Sequence, residues 1–448
     1  MPIILTDRDT PRLRYAADLL FNRFAGLPCI VTTDPSVWAA SPLPGILYAH
    51  RASDFPSGAY VIEPSGLLAE EGVSGNPMPE GSEAGHPILF ASDTGDHPFD
   101  VFSAAFYLVT RYEEHLPHTK DVYGRYDHRQ SAAFRLGFLD RPIVESWTLD
   151  LLEAVYSKAG VQAPAVRPFT FSSTCDVDIA YSFRHKGLIR NLGSALRSLA
   201  TGRFGSLARQ LRVLLGNEED PYDSYEWMEA CHRELALSCR YFILLSSRYG
   251  GYDRNLDPES PAMVSLVRRL AVSGGLGLHP SWGSGDRSGL LALEKERLES
   301  ISGLVITHSR QHYLRFTLPD TYRLLLSQGV TDDHSMGYGT VNGYRASISF
   351  PHPWYDLGRE KATGLTVHPF CFMDATAHHE EGLDPEEGLK RLRSYMDLAR
   401  STGGTLSTVW HNSVLATDPM YAGWRDVYLR FLTEVRASMP DPDAVSGA

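Results

Sequence analysis

Short apolar runs alternate with stretches of helical periodicity along most of the 448-residue chain. From Phe169 onward the alternation is regular. FTFSST, RYFILLS, GLGLH, GLVITHS, GVTDD, LTVHP and TLSTVWH read as strands. Between them, SYEWMEACHREL, PAMVSLVRRLAV, SGLLALEKERLESI, PDTYRLLLSQ and DPEEGLKRLRSYMDLARS repeat apolar residues at the spacing of one helix face. Repeated βα units imply a parallel sheet. Seven strands suit a deformed, incomplete (β/α) barrel, with an open doubly wound sheet as the alternative.

Residues 1–130 follow a different rhythm. Ile3-Ile4-Leu5 and Ile30-Val31-Thr32 read as strands on either side of a helical stretch from Arg12 to Phe24. GILYAH, AYVIEP and PILFAS add strand candidates before the helical FDVFSAAFYLVTRYEEHL. This is a smaller α/β module with no catalytic constellation. Residues 131–167 hold a helix, VESWTLDLLEAVYSKAG, and a linker with two prolines, VQAPAVRP. The barrel is expected over 168–435, with FPHPWYDL as a loop over its mouth.

Composition narrows the function. A formal net charge of -12 argues against a general nucleic-acid binder. Five scattered cysteines with no CxxC pair argue against a disulfide framework or a structural zinc site. The opening MPIILTDRD is not a signal peptide, and no apolar run approaches the ~18 residues of a membrane span. A cytoplasmic location is the expectation.

Barrel enzymes carry their chemistry at the C-terminal ends of the strands. Those ends hold Asp176 and Asp178, then His279, then His308, Arg310 and His312, then Asp332, Asp333 and His334, then His368 and His411. Two acids closing an apolar strand repel each other unless a cation offsets them. A donor set of Asp and His suits zinc or another borderline divalent ion. One acid can then hold the metal while the other acts as general base. Each residue also has an ordinary reading. The acids suit a strand-end cap, His279 and His411 suit core positions, and Arg310 suits a salt bridge. His378-His379-Glu380 reads as a solvated loop.

The order TCDVD, LHPSWGS, HSRQHYL, DDHSMGYG and VWHNS resembles the polysaccharide deacetylase superfamily, with its NodB-like deformed barrel. The resemblance spans roughly residues 169–415. It implies Asp176 as catalytic base, Asp178 and His279 as metal ligands, Arg310 as the group orienting the base, and His411 as acid. The family's second motif has a further histidine four residues after the first, where this chain has Gly283. His312 is the expected third ligand, with His308 as runner-up. The implied metal is zinc, with cobalt or nickel as alternatives. The implied activity is removal of an acyl group, N-acetyl foremost, from a sugar of a polysaccharide or its precursor. The alternatives are an inactive glycan-binding barrel in a cell-surface biosynthesis complex, which Gly283 favours, and an amidohydrolase acting on a small non-sugar amide. The N-terminal module resembles the extra domain of divergent bacterial members. Trp282, Tyr344, Arg345, Trp354 and His368 are the expected substrate contacts.

Residues 179–217 contain no Asp or Glu, while residues 184–212 carry seven Lys and Arg. This basic helical insertion, at about 181–220, either packs on the barrel with a solvated basic face or meets a membrane surface or lipid phosphate. The second case puts the protein at the inner face of the membrane.

Overall fold

A computed structural model of the chain describes residues 2–41, 45–50, 58–75, 80–83, 86–165, 167–247 and 249–439. The N-terminal part holds a parallel sheet of β1 (Ile3–Thr6), β2 (Ile30–Thr32), β3 (Gly45–Tyr48) and β4 (Tyr60–Ile62), ordered β2-β1-β3-β4. An antiparallel hairpin, β5 (Glu80–Glu83) and β6 (His86–Leu89), follows. Helices Val101–Val109 and Ile143–Lys158 pack behind. Of the linker 161–168, Val166 lies outside the described residues, and the rest is neither helix nor strand.

The larger sheet contains β7 (Thr170–Val177), β8 (Cys239–Leu244), β9 (Gly275–His279), β10 (His308–Ser309), β11 (Asp332–Asp333), β12 (His352–Asp356), β13 (Lys361–Val367), β14 (Phe372–Met373) and β15 (Thr405–His411). Their order is β12-β13-β11-β10-β9-β8-β7-β15-β14, parallel except for β12. Arg310 follows β10 and Asp176 lies on β7, three strands away. In a flat sheet that separation is ~14 Å. Their side chains meet at 2.7 Å, so the sheet curls strongly. It remains open, with β12 and β14 as its edges.

FPHPWYDL is therefore not a loop over the mouth. It is mostly the edge strand β12. Pro353 donates no backbone hydrogen bond, which suits an edge and disguises the strand in the sequence. Exposed edges invite unwanted pairing, and the N-terminal part lies against this one. Tyr15 donates to the Pro353 carbonyl at 2.8 Å and packs on the Tyr355 ring at 5.0 Å, while Arg12 pairs with Glu360 at 2.6 Å. GYRAS is also interior. Arg345 is 1 % exposed, and Glu114 accepts from Arg345 at 2.6 Å and from Arg111 at 2.8 Å. One continuous apolar core runs through both parts.

Glu145 lies in that shared interior. Its Oε1 accepts from the Ser349 backbone N–H at 2.6 Å, and its Oε2 has no partner among the described residues. Burial raises its pKa from 4.5 to about 8. The folded chain thus binds a proton here that the unfolded chain has released between those two values. The stabilising contribution is complete below the lower value, declines as pH rises toward about 8, and is then gone. Glu145→Gln should flatten that decline, measured by urea unfolding at about pH 5 and about pH 9. Parallel pH dependence in both proteins would show that Glu145 is already charged when folded.

The insertion forms two helices, Gly187–Ala200 and Phe204–Leu214. Among the described residues, no helix is long and apolar enough to cross a membrane.

Candidate metal and catalytic site

Asp176, Asp178, His279, His312 and His411 line one cavity of about 290 Å³ at the C-terminal end of the curled sheet. Asp176 lies on β7 and Asp178 just past its end, and both side chains line the cavity. His279 ends β9 and His411 ends β15, which pairs directly with β7 at His411↔Asp176.

The donor atoms of Asp178, His279 and His312 all lie within 4.8 Å of one another. His279 Nδ1 is 2.6 Å from the Arg310 carbonyl oxygen, which can only accept. Nδ1 therefore carries a proton, and the ring turns its Nε2 toward Asp178 Oδ1 at 3.1 Å. That buried Oδ1 has no hydrogen-bond partner among the described residues. A proton or a metal cation between these two atoms offsets the carboxylate charge. His312 is oriented likewise. Its Nδ1 bonds Asp253 at 2.9 Å, and its Nε2 stands 3.6 Å from Asp178 Oδ2. Burial pulls the His312 pKa down, but Asp178 and Asp253 outweigh burial and hold it at about 9. Burial pushes Asp178 up, and His312 more than reverses this, leaving it well below the usual range. A divalent ion here displaces the His312 proton. No side chain replaces the expected second histidine at Gly283, and space is open around that position. The residues present fit a divalent cation held by one carboxylate and two imidazoles.

Asp176 and His411 are each held from behind. Arg310 Nη1 donates to Asp176 Oδ1 at 2.7 Å, and its Nε donates to the His334 carbonyl at 2.9 Å. The guanidinium stacks 4.4 Å from the centre of the Phe242 ring. Asp176 Oδ2 is left facing His279 and His411, 3.9 and 4.0 Å away. His411 Nδ1 bonds Asp374 Oδ1 at 2.6 Å. Burial lowers the His411 pKa, but Asp374 outweighs it and raises the value to about 10. Its Nε2 therefore presents a proton to the cavity.

Asp253 and Asp374, which no sequence pattern marks, hold the site histidines, Asp253 from a loop and Asp374 from just past the two-residue strand β14. Sequence reasoning also left aside Tyr123 and Arg125 from the N-terminal part, Tyr313, and the His378-His379-Glu380 turn, of which His379 and Glu380 line the cavity. That turn is a short π-helix rather than an irregular loop, with His379 and Glu380 exposed. The expected substrate contacts lie elsewhere. Trp282 is held between Tyr252 and Arg315. Tyr344 packs on Tyr395, and Trp354 packs on Tyr322 in the core. Arg345 is consumed by Glu114, and His368 bonds Asp332 at 2.8 Å. None of these five lines the cavity, because their apolar area or charge is already satisfied in the interior.

Asp253→Asn should weaken metal affinity ~10- to 100-fold, because His312 loses the carboxylate that fixes its ring and raises its basicity. Metal titration of the purified variant measures this. Unchanged affinity would mean that His312 is oriented by other contacts or is no ligand.

Residues 2–159 match a family model described as "Family of unknown function (DUF7033)". No curated protein matches the chain. Among solved structures, it is similar to a candidate polysaccharide deacetylase from Mycobacterium smegmatis, with 16 % identity over 62 % of this chain and 87 % of that one, at a TM-score of 0.39. A probable polysaccharide deacetylase from Pseudomonas aeruginosa PAO1 has 11 % identity over 60 % and 85 %, with a TM-score of 0.39. Puue allantoinase has 12 % identity over 60 % and 84 %, with a TM-score of 0.38. Likenesses at such scores do not bear on the chemistry of this cavity, which rests on its own side chains.

Proposed function

We propose that the chain is a metal-dependent hydrolase that removes an acyl group, N-acetyl foremost, from a sugar of a polysaccharide or its precursor. The observation that carries this reading is the convergence of metal-ligating atoms from Asp178, His279 and His312 beside a separately held carboxylate and a protonated imidazole. Asp178, His279 and His312 would hold the ion. When bound, zinc, cobalt or nickel polarises the acyl carbonyl and makes water a better nucleophile.

The chain's own groups move the protons. Arg310 occupies Asp176 Oδ1 and leaves Oδ2 free to take a proton from the attacking water. The new bond joins that oxygen to the acyl carbon, and the bond that breaks is acyl C–N. His411 Nε2 gives its proton to the leaving amine, while Asp374 stabilises the imidazolium until then. The cavity of about 290 Å³ suits one sugar unit rather than an enclosed chain.

The test combines metal analysis with an acetate-release assay on N-acetylglucosamine oligomers. The expected result is chelator-sensitive acetate release that zinc, cobalt or nickel restores. Metal uptake without turnover on sugars or small amides would instead favour a glycan-binding barrel, the reading that Gly283 supports. Release from small amides alone would favour the amidohydrolase reading.

A further inference from the structure

A second group of histidines lies beneath Arg310. His308 sits two residues before Arg310 on the same inward side of the strand, ~6.6 Å away along it. Ser309, between them, faces the other way and bonds Asp333. His308 Nδ1 is 3.0 Å from His334 Nε2. The His334 and His368 rings stack at 4.1 Å, only 8° from parallel. His368 Nε2 is 2.8 Å from Asp332 Oδ1, and Asp332 Oδ2 is 3.9 Å from His308 Nε2. The three histidines offer donor atoms within 4.8 Å of one another. Tetrahedral bonds of 2.0–2.1 Å separate ligand atoms by about 3.3 Å, so modest ring movements suffice.

We infer that His308, His334 and His368, completed by Asp332, form a second divalent-cation site of borderline, imidazole-preferring character. His308, Asp332 and His368 are partly exposed, which gives an ion a route in, and none of the four lines the catalytic cavity. The charge of Arg240 faces both His308 and Asp332 and opposes a cation, so this site is the weaker one. The Phe242 ring contacts the Arg310 guanidinium at 4.4 Å and the His334 ring at 5.0 Å, beside the direct bond from Arg310 Nε to the His334 carbonyl.

Chelator-stripped full-length protein is titrated with cobalt and zinc, followed by calorimetry and the cobalt visible spectrum. The wild type should take up two ions. Asp178→Ala/His279→Ala should keep only the weaker, and His308→Gln/His368→Gln only the tighter. Circular dichroism shows that each variant is folded, with single His308→Gln and His368→Gln variants as milder replacements. If His308→Gln/His368→Gln matches the wild type in stoichiometry and cobalt spectrum, the second site is overturned. So it is if Asp178→Ala/His279→Ala binds nothing. Loss of one ion in His308→Gln/His368→Gln but of none in Asp178→Ala/His279→Ala would support the second site and count against the catalytic one.

A different observation concerns the helical insertion. At 100° per residue, Leu188, Ile189, Leu192, Leu196 and Leu199 share one stripe of the helix Gly187–Ala200. That stripe faces solvent, with Leu188 90 % and Ile189 89 % exposed, while the residue the helix buries is Ser198. The helix Phe204–Leu214 is partly inverted. Phe204, Leu211 and Leu214 are exposed, with Leu215 just beyond, whereas Gln210 is buried together with Val213. Exposed apolar area of this extent marks an interaction surface. Arg209 and Arg212 pair with Glu218 and Arg190 stacks on Tyr249, but Arg197 and Arg203 flank the tip. Residues 179–217 have no acid in a chain of net charge -12. A second copy would set this basic patch against itself, since a two-fold contact pairs identical surfaces.

The geometry points to an anionic lipid bilayer as the partner, with the leucine stripes entering the interface and the arginines meeting lipid phosphates. Full-length protein is pelleted with phosphatidylcholine vesicles, with and without phosphatidylserine. Binding should require the anionic lipid, weaken with salt, and fall at least tenfold in Leu192→Ser/Leu196→Ser/Leu199→Ser. These side chains are exposed, so folding should survive, as circular dichroism can show. No wild-type binding, or equal binding by the variant, overturns the proposal. So does a wild-type dimer that the variant converts to monomer, because the surface is then an interface between copies.

Discussion

Replacing Asp176 with Asn is expected to lower deacylation ~10²- to 10⁴-fold while leaving the metal content unchanged. The amide keeps the shape of the carboxyl group and its contact with Arg310, but it cannot take a proton from water. Asp178, not Asp176, lies 3.1 Å from His279 and 3.6 Å from His312, so the donor set survives the change. The two acids are thus separable by experiment even though they stand two residues apart. Acetate release per bound ion gives the answer. Full activity in Asp176→Asn would place the base elsewhere in the cavity, and Glu380 is the remaining acid that lines it. Lost activity together with lost metal would make Asp176 a ligand.

Much of the site was readable because its residues keep short, local spacings at strand ends. Asp176 near the end of β7 and Asp178 just beyond it are two residues apart, and Arg310 and His312 lie within one short segment after β10. The groups that orient them were not readable. Asp253 stands 59 residues before His312, and Asp374 stands 37 before His411. Both sit in stretches without hydrophobic periodicity, so only the fold brings them to their partners. The same limit explains the aromatic misassignments. Tyr344 and Trp354 look available in a polar, proline-rich sequence, but their large apolar area is buried, Tyr344 against Tyr395 and Trp354 against Tyr322. The parallel βα order followed from the alternation of strands and helices. Strand β12 did not, because prolines hide an edge strand, and β10 and β11 are only two residues long. His308 illustrates both sides. Its inward direction follows from alternation with Arg310, but its depth, a layer below the cavity, depends on the curl of the sheet.

Asp178→Ala and His279→Ala should each abolish binding of the tighter ion, a larger effect than the ~10- to 100-fold typical of outer partners such as Asp253. Asp178 is the centre of the donor set, lying 3.1 Å from His279 and 3.6 Å from His312. Without it, two imidazoles remain and no carboxylate offsets the cation's charge. Without His279, the Arg310 carbonyl loses its 2.6 Å partner as well, so His279→Gln serves as a second variant. His312→Ala should weaken the same ion, whereas His308→Ala should leave it in place, because His308 lies outside the cavity and bonds His334. Calorimetric titration of the stripped proteins with zinc distinguishes these cases. Wild-type affinity in both Asp178→Ala and His279→Ala would remove them from the ligand set. Equal losses in His312→Ala and His308→Ala would mean that the two histidine groups hold one ion between them, which the separate clustering of their donor atoms argues against.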